Sequence, residues 1–253
     1  MPDLTLASIS RAEDAGYLAL VDIADVARRL AVDYRLVGGH MVSLLMARHQ
    51  VADVPSRETA DADLGAEFSV VGDQRLVDAL TELGYTRPLS SNRFVRALDG
   101  GLEAVIDVLA PSYTGKHRPN QRHGVLVVDE IPGLGYALSA QPTVLDLAVV
   151  LTSGAGLSTT VRLPGPLPAL FLKLLAYDSR HAPKDAEDIW RMLAVCHAAG
   201  VGPGDWKNTA THRDAATILT RLSAINSTAL RQITTDRAVH ARIRALVLAI
   251  GPQ

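Results

Sequence analysis

The stretch LVGGHMVSLLMARHQVADVPSRETADADLG, Leu36 to Gly65, decides the fold. An apolar, strand-like run ends in Gly38-Gly39, an apolar helical pattern follows, and the stretch closes on Asp61-Ala62-Asp63. Glycine lets a chain turn sharply and lets an anion approach its N–H groups. The start of the helix that follows favours negative charge. In a strand, residues i and i+2 share a face, so Asp61 and Asp63 project together while Ala62 and Leu64 turn to the core. Neighbouring carboxylates repel, and each resists burial. A divalent cation removes that penalty, and Mg²⁺ favours one or two protein carboxylates with phosphate oxygens and water. The alternative is a solvated polar strand face.

Working outward, residues 17–33 have helical spacing before the strand at 34–39, and 40–50 read as the helix leaving the glycine turn. Residues 58–71 read as a strand around the acids. DQRLVDALTELGY (73–85) is an amphipathic helix with Asp at its start and Gly near its end. NRFVRAL (92–98) and EAVIDVLAP (103–111) read as strands around the turn DGG. Residues 124–131 and 135–140 add strands, 142–156 a helix, and 159–164 a last strand. Beyond PGPLP the apolar spacing is helical to residue 250. The expected class is α+β: a mixed sheet with flanking helices over residues 1–140, and a mainly helical part over 141–253 that packs on it and completes the site.

The 253 residues suffice for one large domain or two modest ones. Aromatics are only 4%, so Leu, Val and Ala must build the core. A net charge of −2 excludes a tight hold on nucleic acid by bulk charge, though not a local basic face. The single cysteine, Cys196, lies in an apolar helical pattern and reads as an inert buried thiol. No signal pattern opens the chain and no apolar run spans a membrane, which points to a cytoplasmic protein without a membrane partner.

Asp107 stands in the apolar strand VIDVLAP, with Ile106 and Val108 on the opposite face. An acid there is costly without a partner. If its strand lies beside that of Asp61 and Asp63, three carboxylates converge, and three acids can hold metal ions for phosphoryl or nucleotidyl displacement. Alternatively Asp107 pairs with Arg93 or Arg96. Neither a P-loop nor a G-x-G-x-x-G is present.

LVGG before a helix, RETADAD at Arg57 to Asp63, and VIDVL together resemble the nucleotidyltransferase superfamily of the polymerase-β type. More narrowly they resemble its AbiEii branch: toxins of bacterial toxin–antitoxin and abortive-infection systems, including the MenT-type tRNA nucleotidyltransferases. VRLPGPLPALFLKLLAYDSRHAPKDAEDIWRML resembles the P-x-x-L-x-x-K-L-x-A, R and K-D-x-x-D blocks of that branch, so the similarity covers residues 30–195 in separate pieces.

The resemblance implies roles. Gly38 and Gly39 lie against the triphosphate. Asp61, Asp63 and Asp107 hold Mg²⁺, with Asp107 alternatively the base for the attacking hydroxyl. Lys173 reaches the nucleotide phosphates, and Asp185 and Asp188 form the acidic pair that follows, Asp188 being the preferred functional member. Arg57 and Thr59 contact the nucleotide or fix the loop. His40 replaces the usual Ser or Thr and either binds phosphate when protonated, reads another group, marks altered activity, or is a partly exposed helix-start histidine. Without the resemblance, Lys173 reads as a lysine snorkelling from a core helix.

The implied activity is Mg²⁺-dependent transfer of NMP from an NTP to tRNA or other RNA, with an antitoxin as partner. Alternatives are a small-molecule acceptor of the aminoglycoside or lincosamide type, or a non-catalytic binding protein on the same scaffold. Two segments offer cations for RNA. One is 87–123, with Arg87, Arg93, Arg96, Lys116, His117, Arg118, Arg122 and His123. The other is the C-terminal helices, with Lys207, Arg213, Arg221, Arg231, Arg237, Arg242 and Arg244. PSYTGKHRPNQRHG (111–124) reads as a mobile acceptor-binding loop.

Overall fold

A computed structural model describes residues 2–55, 57–88 and 91–252. The chain runs β1 (Leu4–Ala7), α1 (Arg11–Leu30), β2 (Arg35–Val37), α2 (Gly38–Arg48), β3 (Asp61–Gly65), α3 (Phe68–Val71), α4 (Gln74–Glu82), β4 (Arg93–Ala97) and β5 (Glu103–Ser112). It continues β6 (Arg118–His123), β7 (Leu126–Pro132), α5 (Leu134–Ser139), β8 (Thr143–Val150) and β9 (Gly156–Leu163). The helices α6 (Pro166–Arg180), α7 (Pro183–Ala198), α8 (Ala210–Ser223), α9 (Thr228–Ile233) and α10 (Arg237–Ile250) follow. The class is α+β, with mixed sheets and a helical C-terminal part.

One sheet has the order β2-β3-β5-β7-β6, with β4 beside β5. β3 is parallel to β5, β5 is parallel to β7, and β2 is antiparallel to β3. Ala62, Leu64, Ile106, Val108, Leu126 and Val128 fill the buried face beneath it. The acids alternate with these residues and face the other way, as the two-residue period requires. The second sheet is β1-β8-β9. Its strand β1 hydrogen-bonds alongside β8, joining the N-terminus to a strand beyond residue 140. Among the described residues no helix is long and apolar enough to cross a membrane.

Several elements differ from the sequence expectation. Residues 142–156 form β8 and a turn, not a helix. Their apolar run alternates in burial, with Leu145, Leu147 and Val149 inside and Val144, Asp146 and Val150 outside. A short apolar run does not distinguish helix from strand, and here pairing to β1 and β9 decides. Residues 135–139 belong to the helix α5, which starts after Gly133 in the left-handed region. The acid strand stops at Gly65, and Phe68–Val71 turn into helix α3. Residues 111–124 are the end of β5, a turn and the hairpin strand β6, not a loop. β1 has no counterpart in the expectation. α1 starts six residues before Tyr17, because the Ser10 side chain accepts from the Glu13 N–H and caps it.

Candidate active site

The sheet sets one row of side chains across four strands. Val37 is opposite Asp63, Asp63 is opposite Asp107, and Asp107 is opposite Arg93. Asp61 lies two residues before Asp63 on the same face. Asp63 accepts no hydrogen bond and makes no ion pair among the described residues. Burial, with Asp61 and Asp107 beside it, pushes its carboxyl up to about 7; Lys173 and Arg180 pull the other way. Arg93 meets Asp107 as a fork, Nε to Oδ1 at 2.9 Å and Nη2 to Oδ2 at 2.7 Å. Its Nη2 also stands 3.9 Å from Asp61 Oδ2. The Arg93 partner considered for Asp107 from sequence is therefore real, and the acids nevertheless share the cleft.

The glycine turn closes this row on the β2 side. Gly38 has φ +71°, and a Cβ there would run into the Asp63 carboxylate. A Cβ on Gly39 would meet Thr59 and Arg57. The N-cap of α2 is Val37, which supplies no capping side chain. The first N–H groups of α2 thus lack a side-chain acceptor at the edge of the cleft, an arrangement suited to an anion.

The opposite side is cationic and comes from α6 and α7. Lys173 is buried, with Nζ 2.9 Å from Asp188 Oδ2. Arg191 Nη1 reaches Asp188 Oδ1 at 2.8 Å, and Arg57 Nη2 reaches Asp188 Oδ2 at 3.4 Å. Burial pushes the Asp188 carboxyl up, but Lys173, Arg57 and Arg191 outweigh it and hold it below the usual carboxylate range. Arg191 Nε also donates to the Pro55 carbonyl at 2.7 Å, tying the segment before Arg57 to α7. Asp185 is buried and takes a fork from Arg180 at 3.1 and 2.8 Å. Both acids of the K-D-x-x-D block thus serve as partners for cations, Asp188 for the lysine itself.

These two sides enclose a cleft of about 540 Å³. Gly38, Gly39, Arg57, Asp61, Asp63, Asp107, Lys173, Asp185 and Asp188 line it. His40 and Thr59 do not. His40 is buried, its ring 5.5 Å from that of Tyr17 and its Nε2 without a hydrogen-bond partner. Burial lowers its pKa to about 4, so the imidazole is neutral and supplies no positive charge to a phosphate. Thr59 Oγ1 is also buried without a partner, behind Gly39.

Asp129, which lines the cleft, was missed in the sequence; His117 was read there only as a cation for RNA, and Arg180 and Lys184 stood in the resembling blocks without a role. Arg191 stands behind the cleft and was missed too, although its i,i+3 spacing from Asp188 was a usable signal. Asp129 lies across from Leu109 on the neighbouring strand, so the cleft face of the sheet carries a fourth acid. It accepts from the Asn120 N–H at 2.9 Å, and His117 Nε2 stands 3.7 Å away. Nothing in the local sequence links these two residues to Asp107; only the sheet order does.

Much of the basic segment 87–123 is neutralised within the fold. Arg93 pairs with Asp107, Arg96 with Asp22, and Arg118 with Glu130, which His123 also contacts. Lys116 and Arg122 have no acidic partner among the described residues. In the C-terminal helices Arg221 pairs with Asp178 and Arg242 with Asp53. Cys196 is buried, and burial pushes its thiol up, as expected of an inert cysteine.

Among the described residues, no group of three His, Cys, Asp or Glu side chains stands in a metal-holding arrangement. Two carboxylates, Asp61 and Asp63, are nonetheless enough for a Mg²⁺ ion that keeps water or phosphate as its other ligands. The uncompensated charge at Asp63 is what such an ion would offset.

No family model and no curated protein matches the chain. Among solved structures it is similar to an antigenic nucleotidyltransferase-like protein from Paracoccidioides brasiliensis, at 18% identity over 89% of this chain and 96% of that one, with a TM-score of 0.49. It is also similar to the antibiotic-resistance factor ANT(2'')-Ia, at 14% identity over 81% of this chain and 90% of that one, with a TM-score of 0.43. At these values the likenesses do not say which reaction the cleft performs.

Proposed function

We propose that the chain is a nucleotidyltransferase of the polymerase-β type, moving NMP from an NTP to an acceptor hydroxyl. One observation carries this reading. A carboxylate without a partner among the described residues, Asp63, faces a glycine turn and a buried lysine across a single cleft. Such a cleft has a place for a cation and a place for phosphates, side by side.

Asp61 and Asp63 would hold Mg²⁺, which supplies charge neutralisation of the phosphates and of the leaving pyrophosphate. The N–H groups at Gly38 and Gly39 bind the triphosphate oxygens, and Lys173, Arg57, Arg180 and Lys184 neutralise them. Asp188 fixes Lys173 so that its ammonium is already placed when the nucleotide arrives. In-line displacement brings the acceptor from the side away from the leaving group. With the phosphates on the β2 and α6 side, the acceptor enters near β7 and the β6–β7 hairpin. There Asp129 is the carboxylate available to take its proton, since Arg93 engages both oxygens of Asp107.

For the acceptor, RNA with tRNA as first candidate is the reading carried from the sequence resemblance; Lys116 and Arg122 on the acceptor side support it. The same resemblance supports a toxin role with a cognate antitoxin. A small cationic acceptor is the second reading, favoured by Asp129 on the far wall. Incubation with each α-labelled NTP, Mg²⁺ and either total RNA or aminoglycosides separates the two, beside Asp63→Ala. Label on RNA that disappears in the variant supports the first reading; label on the drug supports the second. Absence of transfer to any acceptor, with no nucleotide binding, removes the enzyme reading. Growth arrest on expression, relieved by the product of an adjacent gene, tests the toxin role.

A further inference from the structure

We propose that this cleft takes one divalent cation, on Asp61 and Asp63, and that Arg93 occupies the place of a second cation on Asp107. The inference rests on the nucleotidyltransferase reading and sets the number of metal ions in its site. It starts from the row across the sheet. Asp107 has Asp63 on one side and Arg93 on the other, each directly in register. Directly opposed residues of an antiparallel pair have their side chains within reach of one another. Arg93 is therefore aimed at Asp107 by the backbone itself.

The fork engages both oxygens of Asp107. A guanidinium in this planar, two-point contact is among the strongest polar pairs a protein makes. Asp107 is also the more enclosed partner, its side chain 14% exposed against 51% for Arg93. Removing Arg93 would leave that carboxylate beside Asp63 with no counter-charge. The base of the arginine strand is held as well, since the Arg93 N–H donates to Ser91 Oγ at 3.1 Å.

Charge gives the same answer. Asp61, Asp63 and Asp107 bring three negative charges, and Arg93 returns one. The remaining two match a single divalent ion. A second ion on Asp107 would face the guanidinium across one carboxylate, and like charges at that range repel strongly in a partly buried site. The reach of Arg93 toward Asp61, at 3.9 Å, places its charge over the acid row and not out in solvent.

The test is a count and needs no turnover. Mn²⁺ is titrated into protein held in excess over an α,β-methylene nucleoside triphosphate, and free Mn²⁺ is read by electron paramagnetic resonance. The expected result is one Mn²⁺ per bound nucleotide for the wild type and two for Arg93→Gln. Arg93→Lys keeps the positive charge and keeps the count at one; circular dichroism confirms that each variant is folded. Two ions in the wild type, or one in Arg93→Gln, overturns the proposal. If no nucleotide binds, the nucleotidyltransferase reading fails separately, and the count is then made on the protein alone. One ion in the wild type, lost in Asp63→Asn, and two in Arg93→Gln would still sustain the role of Arg93. No bound Mn²⁺ under either condition overturns it.

Discussion

The two sides of the cleft treat their charges in opposite ways. On the helical side, Asp188 is buried among Lys173, Arg191 and Arg57, and every oxygen has a partner. On the sheet side, Asp63 has none among the described residues, and its neighbours are two more acids. A folded chain gains nothing from a partly desolvated carboxylate without a counter-charge. The helical side is thus complete as it stands and positions Lys173. On the proposed reading, the sheet side is completed by a cation.

The largest effect is expected where the satisfied side is broken. Asp188→Ala leaves Lys173 buried without its counter-charge and leaves Arg191 with only the longer contact to Glu187, and removing one partner of a buried pair costs about 3–5 kcal/mol. Urea unfolding measures this; a loss below about 1 kcal/mol would mean that the network is not structural. Next, Asp63→Asn lowers nucleotidyl transfer by ~100-fold or more, in line with removing a preorganised electrostatic group.

The same substitution stabilises the metal-free protein. The folded pKa of Asp63, about 7, lies above its ordinary 3.8. Its favourable contribution is therefore full at acid pH and is lost as pH rises through 7. In EDTA, Asp63→Asn raises Tm more at pH 8 than at pH 5, and an equal rise at both would contradict the isolation of this carboxylate.

Gly38→Ala tests the contact between the two sides of the turn. Positive φ alone costs about 1 kcal/mol, and the collision with Asp63 adds to it. Nucleotide affinity should fall along with stability.

The smallest effect concerns His40. Its folded pKa of about 4 lies below the usual 6.5. Its contribution is present above pH 6.5 and is lost as pH falls through 4. His40→Asn should flatten the acid-side loss of stability over that window and leave nucleotide binding at pH 8 unchanged. A fall in affinity at pH 8 would place His40 in the nucleotide site.

The sequence made the acid row legible because two-residue alternation is a local signal: Asp61 and Asp63 among apolar residues, and Asp107 within VIDVL. The glycine turn was legible for the same reason. The helical side was legible only as a resemblance, since Lys173 in an apolar helix looks like a snorkelling lysine until Asp188 is seen beside it. Asp129 was hidden because its place depends on β7 lying next to β5, a pairing that no local pattern encodes. β8 was misread because a buried short strand and a buried helix share an apolar composition. His40 was open between a phosphate contact and a partly exposed helix start, and neither is what the fold shows. Its burial behind Gly39, against Tyr17 and Gly16, depends on how α1 crosses the sheet.

The central claim is that the sheet side is built for a cation and the helical side for phosphate. Equilibrium binding of each NTP, with and without Mg²⁺, tests it in the wild type, Asp63→Asn and Lys173→Met. The account predicts that Mg²⁺ strengthens binding in the wild type, that Asp63→Asn loses this dependence, and that Lys173→Met weakens binding whether or not Mg²⁺ is present. Binding that is equally strong with and without Mg²⁺ in the wild type, or no NTP binding at all, would contradict it.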